Sequence, residues 1–218
     1  MWFSREPSVI REAVRRGVKL LLHSTHLYKN LPQILADGTL HTAGSLRQKF
    51  GDEHAARFLH DPRRYESFRV GLDYLNASLS VPNFELLYHR SKSAWPQEWV
   101  HLDLDLSLIS RDDTLFCPVS AAAQFGERVQ AGRAGFLALF ENSVDGFSRE
   151  NLPRNIPTHP QAEILLAGPL PLSNIRGILV SSPGIHAEVE RLCEFYHRSL
   201  NIELAPYLFV WPKRLMKN

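Results

Sequence analysis

Cysteine is scarce in this chain. The two present, Cys117 and Cys193, sit in apolar stretches with no CxxC pair and no Cys/His cluster, so neither a disulfide framework nor a zinc site is indicated and no metal is expected. No apolar run approaches the roughly 20 residues of a membrane-spanning helix. Residues 1–16 also lack the apolar segment of a secretory leader, so a cytoplasmic protein with no membrane partner is expected. Glycine-rich phosphate loops are missing as well. Without GxGxxG, a Walker loop or GxSxG, the common nucleotide-loop and hydrolase readings lose support. Repeats and low-complexity tracts are absent too.

What remains is ordinary in bulk and uneven in detail. The 218 residues, 44% hydrophobic and 22% charged, suit one globular domain over 1–218 with its own core. Net charge is +2, yet residues 1–70 hold twelve Lys/Arg against seven Asp/Glu. That surplus suits an anionic partner, and equally a solvated helix face.

Periodicity sketches the elements. A helix from a Ser8 cap to Arg16 turns Ile10, Ala13 and Val14 inward and stops at Gly17. Val18–His23 reads as a strand ending on His23, and a second helix starts at Asn30-Leu31-Pro32-Gln33 with Asn30 and Gln33 as a box-like pair. Residues 41–70 read as polar loop with a short helix near Glu53–Leu59. A strand over Asp73–Val81 precedes a helix from Pro82-Asn83. Trp99–Leu106 alternates, with His101, Asp103 and Asp105 on a wet face. Ser120 reads as the cap of Ala121–Phe125, and a further helix covers Gly135–Asn142. Strands at Ala162–Ala167 and Ile175–Ser181, a helix over His186–Leu200 and a strand over Ile202–Val210 complete the chain. Strands without regular helical crossovers argue α+β with a mainly antiparallel sheet.

One stretch organises the rest. From Ser143 to Pro160 three prolines break all periodicity, and then Pro160-Gln161-Ala162-Glu163-Ile164-Leu165-Leu166 runs apolar with Glu163 as its single charge. A carboxylate at the mouth of a buried strand is costly unless it is used. The alternative is an edge-strand glutamate facing water. His23-Ser24-Thr25-His26, the helix start at Asn30–Gln33 and the arginines of 57–69 complete a candidate site. Separately these residues read as a structural histidine, caps and solvated surface. Together they suit a dinucleotide: helix N–H groups for a pyrophosphate, imidazole and hydroxyl for a ribose, and a carboxylate for a developing sugar cation.

The pattern His23-x-Thr25-His26…Asn30-Leu31-x-x-Ile34-Leu35-x-x-Gly38 resembles the opening of the DarT family. The likeness continues through Ala77-Ser78-Leu79-Ser80-Val81-Pro82-Asn83-Phe84, Trp99-Val100-His101-Leu102, Phe116-Cys117 with Ala121-Ala122, and Pro160-Gln161-Ala162-Glu163. It is closer to the branch with the Ser-x-x-x-Pro-Asn segment than to the thymine-modifying branch. The resemblance implies an ADP-ribosyltransferase-like fold, a split antiparallel β core with flanking helices. It also implies a toxin that moves ADP-ribose from NAD onto a base of single-stranded DNA, opposed by a macrodomain antitoxin. In its terms Glu163 is catalytic with Arg64, Arg69 being the other choice. His23, Ser24, Thr25, Asn30, Gln33 and Leu40 face NAD, and Asn83, Arg69 and Phe147 face the nucleic acid. Phe84 and Tyr88 read either as base-stacking or as core, and 143–160 as the substrate-recognition loop. Transfer to RNA or protein, or a catalytically silent nucleic-acid-binding module, are the other readings.

Overall fold

The computed structural model describes residues 8–56, 73–91 and 98–210. In chain order these form α1 (Val9–Arg16), β1 (Leu21–His26), α2 (Leu31–Asp37), β2 (Thr39–Leu40), α3 (Ala43–Phe50), α4 (Asp52–Ala55), β3 (Tyr74–Leu79) and α5 (Phe84–Ser91). Then follow β4 (Trp99–Leu104), β5 (Leu115–Cys117), β6 (Gln130–Ala131), α6 (Gly132–Ala138), β7 (Ser143–Val144), β8 (Phe147–Ser148) and β9 (Glu163–Ala167). Finally come β10 (Leu170–Pro171), β11 (Ile175–Val180), α7 (Pro183–Phe195) and β12 (Asn201–Leu204), with a 3-10 turn at Pro206–Phe209.

The main sheet runs β12-β11-β4-β1-β3-β9-β5-β6. Its pairings are antiparallel except β11–β12, which α7 crosses to make parallel. The fold is α+β, as the strand pattern implies. One face of the sheet carries Leu21, Val100, Leu102, Ile164 and Ile178 against Ala13 of α1, Leu31 and Leu35 of α2, Phe136 of α6 and Val189 of α7. The opposite face buries Leu22, Trp99 and Leu179 under Leu87 of α5 and Leu208–Phe209. Alternation along each strand therefore feeds two cores.

That second layer corrects the reading of β4. His101 and Asp103 are buried at 0% and 8% exposure rather than wet: the Pro206–Phe209 turn lies over His101, and Arg176 covers Asp103. His101 stacks on Phe209 at 4.4 Å and donates from Nε2 to the Leu208 carbonyl at 3.3 Å. Asp103, raised in pKa by burial, meets Arg176 at 2.6 Å. The last strand accordingly stops at Leu204 instead of running to Val210.

Smaller corrections have local causes. In α1, Val9, Glu12 and Ala13 face inward while Val14 is 64% exposed. Glu12 accepts bonds from Arg15 and Arg16 at 2.7 to 3.0 Å, and the Arg15 bond leads in holding its pKa low. The Gly135–Asn142 helix starts earlier, at Gly132, and the His186–Leu200 helix runs Pro183–Phe195 from a Ser182 cap. Within 41–56, α3 replaces expected loop and is capped by Thr42, while α4 falls where the short helix near Glu53–Leu59 was expected, starting one residue earlier. The segment expected to be wholly irregular before Glu163 contains the β7–β8 hairpin.

Candidate active site

The ladder between β1 and β3 is short. Those two strands pair only at Leu21↔Leu79 and Leu22↔Ser78. Beyond this point β1 stays with β4 through four more pairs, and β3 stays with β9 through four. The strands thus part, and a cleft opens where a ladder would have continued. Its volume is about 180 Å³.

His23 spans the parting. Its Nδ1 lies 2.8 Å from the carbonyl oxygen of Asn76. A carbonyl only accepts, so Nδ1 carries the proton and Nε2 of the neutral ring is left as an acceptor. Burial pushes the pKa of His23 down, and the nearby charge of Arg90 adds to this. Ser24 points to the other face, where its hydroxyl donates at 3.0 Å to Nδ1 of His101, the Nε2 of that ring being already the donor to Leu208. Burial lowers the His101 pKa to about 3, so the ring is uncharged at neutral pH. Thr25, on the His23 face, is 4% exposed and also lines the cleft.

The start of α2 differs from the expected capping box. Asn30 has αR backbone and its side chain makes no cap bond. The preceding turn is held instead by His26, whose Nδ1 accepts from the Tyr28 and Lys29 N–H groups at 3.2 Å while Nε2 meets Glu98. Gln33 bonds Asp37. Asp37 also meets His41 Nε2 at 3.0 Å and Lys49 Nζ at 2.9 Å. Burial opposes its charge, but Lys49 and Gln33 outweigh burial and keep its pKa low. Asn30, Gln33, Leu40 and His41 all face the cleft.

Glu163 opens β9, which lies between β3 and β5 and pairs Glu163 with Cys117. An edge position is therefore excluded. The side chain is 3% exposed, and its Oε2 accepts from the Ala121 N–H at 2.8 Å. Buried and bonded, it still lines the same cleft as His23. Strands from distant parts of the chain bring the two together.

Other expected residues are placed as follows. Asn83 lines the cleft while its Oδ1 caps α5 through the Leu86 N–H at 3.0 Å. Phe84 is core and Tyr88 is 51% exposed. Phe147 packs edge-on against His159 at 4.5 Å and is not among the described residues that line the cleft. Arg64 and Arg69 lie outside the described residues. Sequence reasoning missed Asn76, Arg90, His41 and Ala121. Asn76 and Ala121 act through backbone groups, which leave no side-chain signal. Arg90 stands seven residues after Asn83 on one helical face, a spacing that gains meaning only once α5 is known to border the cleft. Among the described residues no His, Cys, Asp and Glu group could hold a metal ion.

A family model described as "ssDNA thymidine ADP-ribosyltransferase, DarT" matches residues 22–210. The chain belongs to the DarT family. That makes it an NAD-dependent transferase that places ADP-ribose on single-stranded DNA. Solved DarT structures share the fold. Thermus sp. 2.9 DarT in complex with NAD+ superposes with TM-score 0.59 at 16% identity, over 87% of this chain and 96% of that one. Its complex with ADP-ribosylated ssDNA gives 0.61 at 16%, over 87% and 95%. Thermosipho africanus DarTG in complex with ADP-ribose gives 0.58 at 16%, covering 88% of this chain and 51% of that one. No curated protein sequence matches the chain.

Proposed function

We propose that the parting of β1 from β3 is where NAD reacts, with Glu163 and His23 on either side of the nicotinamide-bearing ribose. The observation that carries this is the shared cleft: a buried carboxylate and a partly buried neutral imidazole line one opening in the sheet. The ribose C1′–nicotinamide bond breaks, its electron pair leaves with nicotinamide, and the sugar becomes cation-like. Glu163 offsets that charge without reorganising, because Ala121 already fixes its position. A nitrogen of an unstacked base then bonds to C1′ and gives up its proton to solvent. The need for an unstacked base favours a single strand.

The remaining assignments follow the same reading. Thr25 joins His23 on the nicotinamide side. Asn30, Gln33 and Leu40 flank the rest of the dinucleotide, with Ser24 lining the cleft while its hydroxyl stays with His101, and Arg90 adds a cationic wall beside its phosphates. Arg64, or otherwise Arg69, assists the departing proton or a phosphate. Asn83 and Phe147 serve the DNA strand. The likeness to part of a DarTG chain supports a toxin paired with an antitoxin; that the antitoxin is a macrodomain and that the pair acts in the cytoplasm belong to the same proposal.

The test is mass analysis of oligonucleotides after reaction with NAD. Single-stranded DNA should gain one ADP-ribosyl group, and fragmentation should place it on one kind of base. Labelling of RNA or of protein in place of DNA would move the acceptor assignment. Binding of nucleic acid without any NAD consumption would leave only a binding module.

A further inference from the structure

The loop before Glu163 is built around one guanidinium. Residues 149–158 hold Pro153 and Pro157, which donate no backbone hydrogen bond, so this loop cannot satisfy its carbonyls by a ladder. Arg149 does so instead. Its Nη1 donates to the Ile156 carbonyl at 2.7 Å and to Thr158 Oγ1 at 3.4 Å. Its Nη2 donates to the carbonyls of Pro153 at 3.0 Å and Arg154 at 2.9 Å. The plane of the group lies over Phe140 at 5.1 Å, and the Arg149 N–H bonds the Asn142 carbonyl across the hairpin. The two ends of the loop are fastened to different bodies. Thr158 donates to the Glu141 carbonyl at 2.6 Å. At the tip, Ser80 donates to the Asn155 carbonyl at 2.7 Å and accepts from Asn155 Nδ2 at 3.3 Å. Ser80 directly follows β3, between the cleft-lining Ser78 and Asn83.

We infer that Arg149 is a positioning residue for the acceptor strand: it shapes 149–158 into a preformed rim that seats DNA beside the cleft. The inference rests on the transferase reading above and adds that DNA recognition is separable from NAD chemistry. Arg149 does not line the cleft. Lysine is no substitute, because a point charge cannot reach four acceptors set on both tips of a planar fork. The Ser80–Asn155 contact ties the rim to the strand that forms one wall of the cleft.

The experiment compares wild type with Arg149→Lys, Arg149→Gln and Asn155→Ala in two assays: NAD hydrolysis without DNA, and ADP-ribosyl transfer to single-stranded DNA. Hydrolysis should stay within about twofold in every variant. Transfer should fall at least tenfold in the Arg149 variants, chiefly as a raised KM for DNA, and less in Asn155→Ala. If either Arg149 variant fails to fold, Asn155→Ala is read by the same split. Parallel loss of both activities, or no loss of transfer, overturns the assignment. A wild-type protein that hydrolyses NAD but labels no DNA overturns the transferase reading itself, and this inference with it.

Discussion

At the scale of single residues, one buried and one partly buried histidine set how the molecule meets acid. The folded His101 pKa, about 3, lies well below the ordinary value near 6.5. Below that ordinary value the unfolded chain binds a proton that the folded chain refuses. Stability is therefore whole above about pH 6.5 and declines by roughly 1.4 kcal/mol per pH unit toward pH 3. Urea melts at pH 7 and pH 5 should show this loss in wild type and a smaller one in His101→Leu. Equal slopes would mean that His101 does not titrate as buried. His23 shifts in the same direction, through burial and Arg90. Its neutral form bridges to Asn76, so NAD consumption should hold level through pH 7 and fall only on an acid limb below about 6.5. A rate that rises as His23 gains a proton would contradict the role given to its neutral ring.

At the scale of elements, close approach sets the tolerances. A Cβ on Gly135 would meet the Gln130 carbonyl oxygen at 2.4 Å, because α6 folds directly back over β6. Gly135→Ala should cost about 1–3 kcal/mol as overpacking displaces the helix, read as a drop in Tm. Gly17 is a different case. Its φ of +77° ends α1, and nothing lies within 4 Å of a Cβ there, so Gly17→Ala should cost only the conformational term, about 1 kcal/mol. The existence of most elements was legible from periodicity, and β9 with Glu163 at its head was read directly from one charge in an apolar run. The wet face assigned to His101 and Asp103 was not legible, because the cover over β4 comes from Leu208 and Phe209, more than a hundred residues later.

At the scale of the whole molecule, the decisive feature is a missing set of hydrogen bonds. Strand patterns state which residues alternate, but not that β1 and β3 separate after two pairs. The cleft, the Asn76 carbonyl and the Ala121 N–H that define the candidate site were therefore invisible, while His23, Thr25 and Glu163 were legible through their resemblance to DarT sequences. Among the described residues no helix is long and apolar enough to cross a membrane. The account depends on Glu163 acting on NAD from within that parting, and the most direct measurement is the mass of single-stranded DNA after incubation with NAD and either wild type or Glu163→Gln. The amide keeps the shape and the bond to Ala121 but removes the charge. Wild type should attach one ADP-ribosyl group, and Glu163→Gln should do so at least about 100-fold more slowly with an unchanged Tm. Equal labelling by the two proteins would contradict the account.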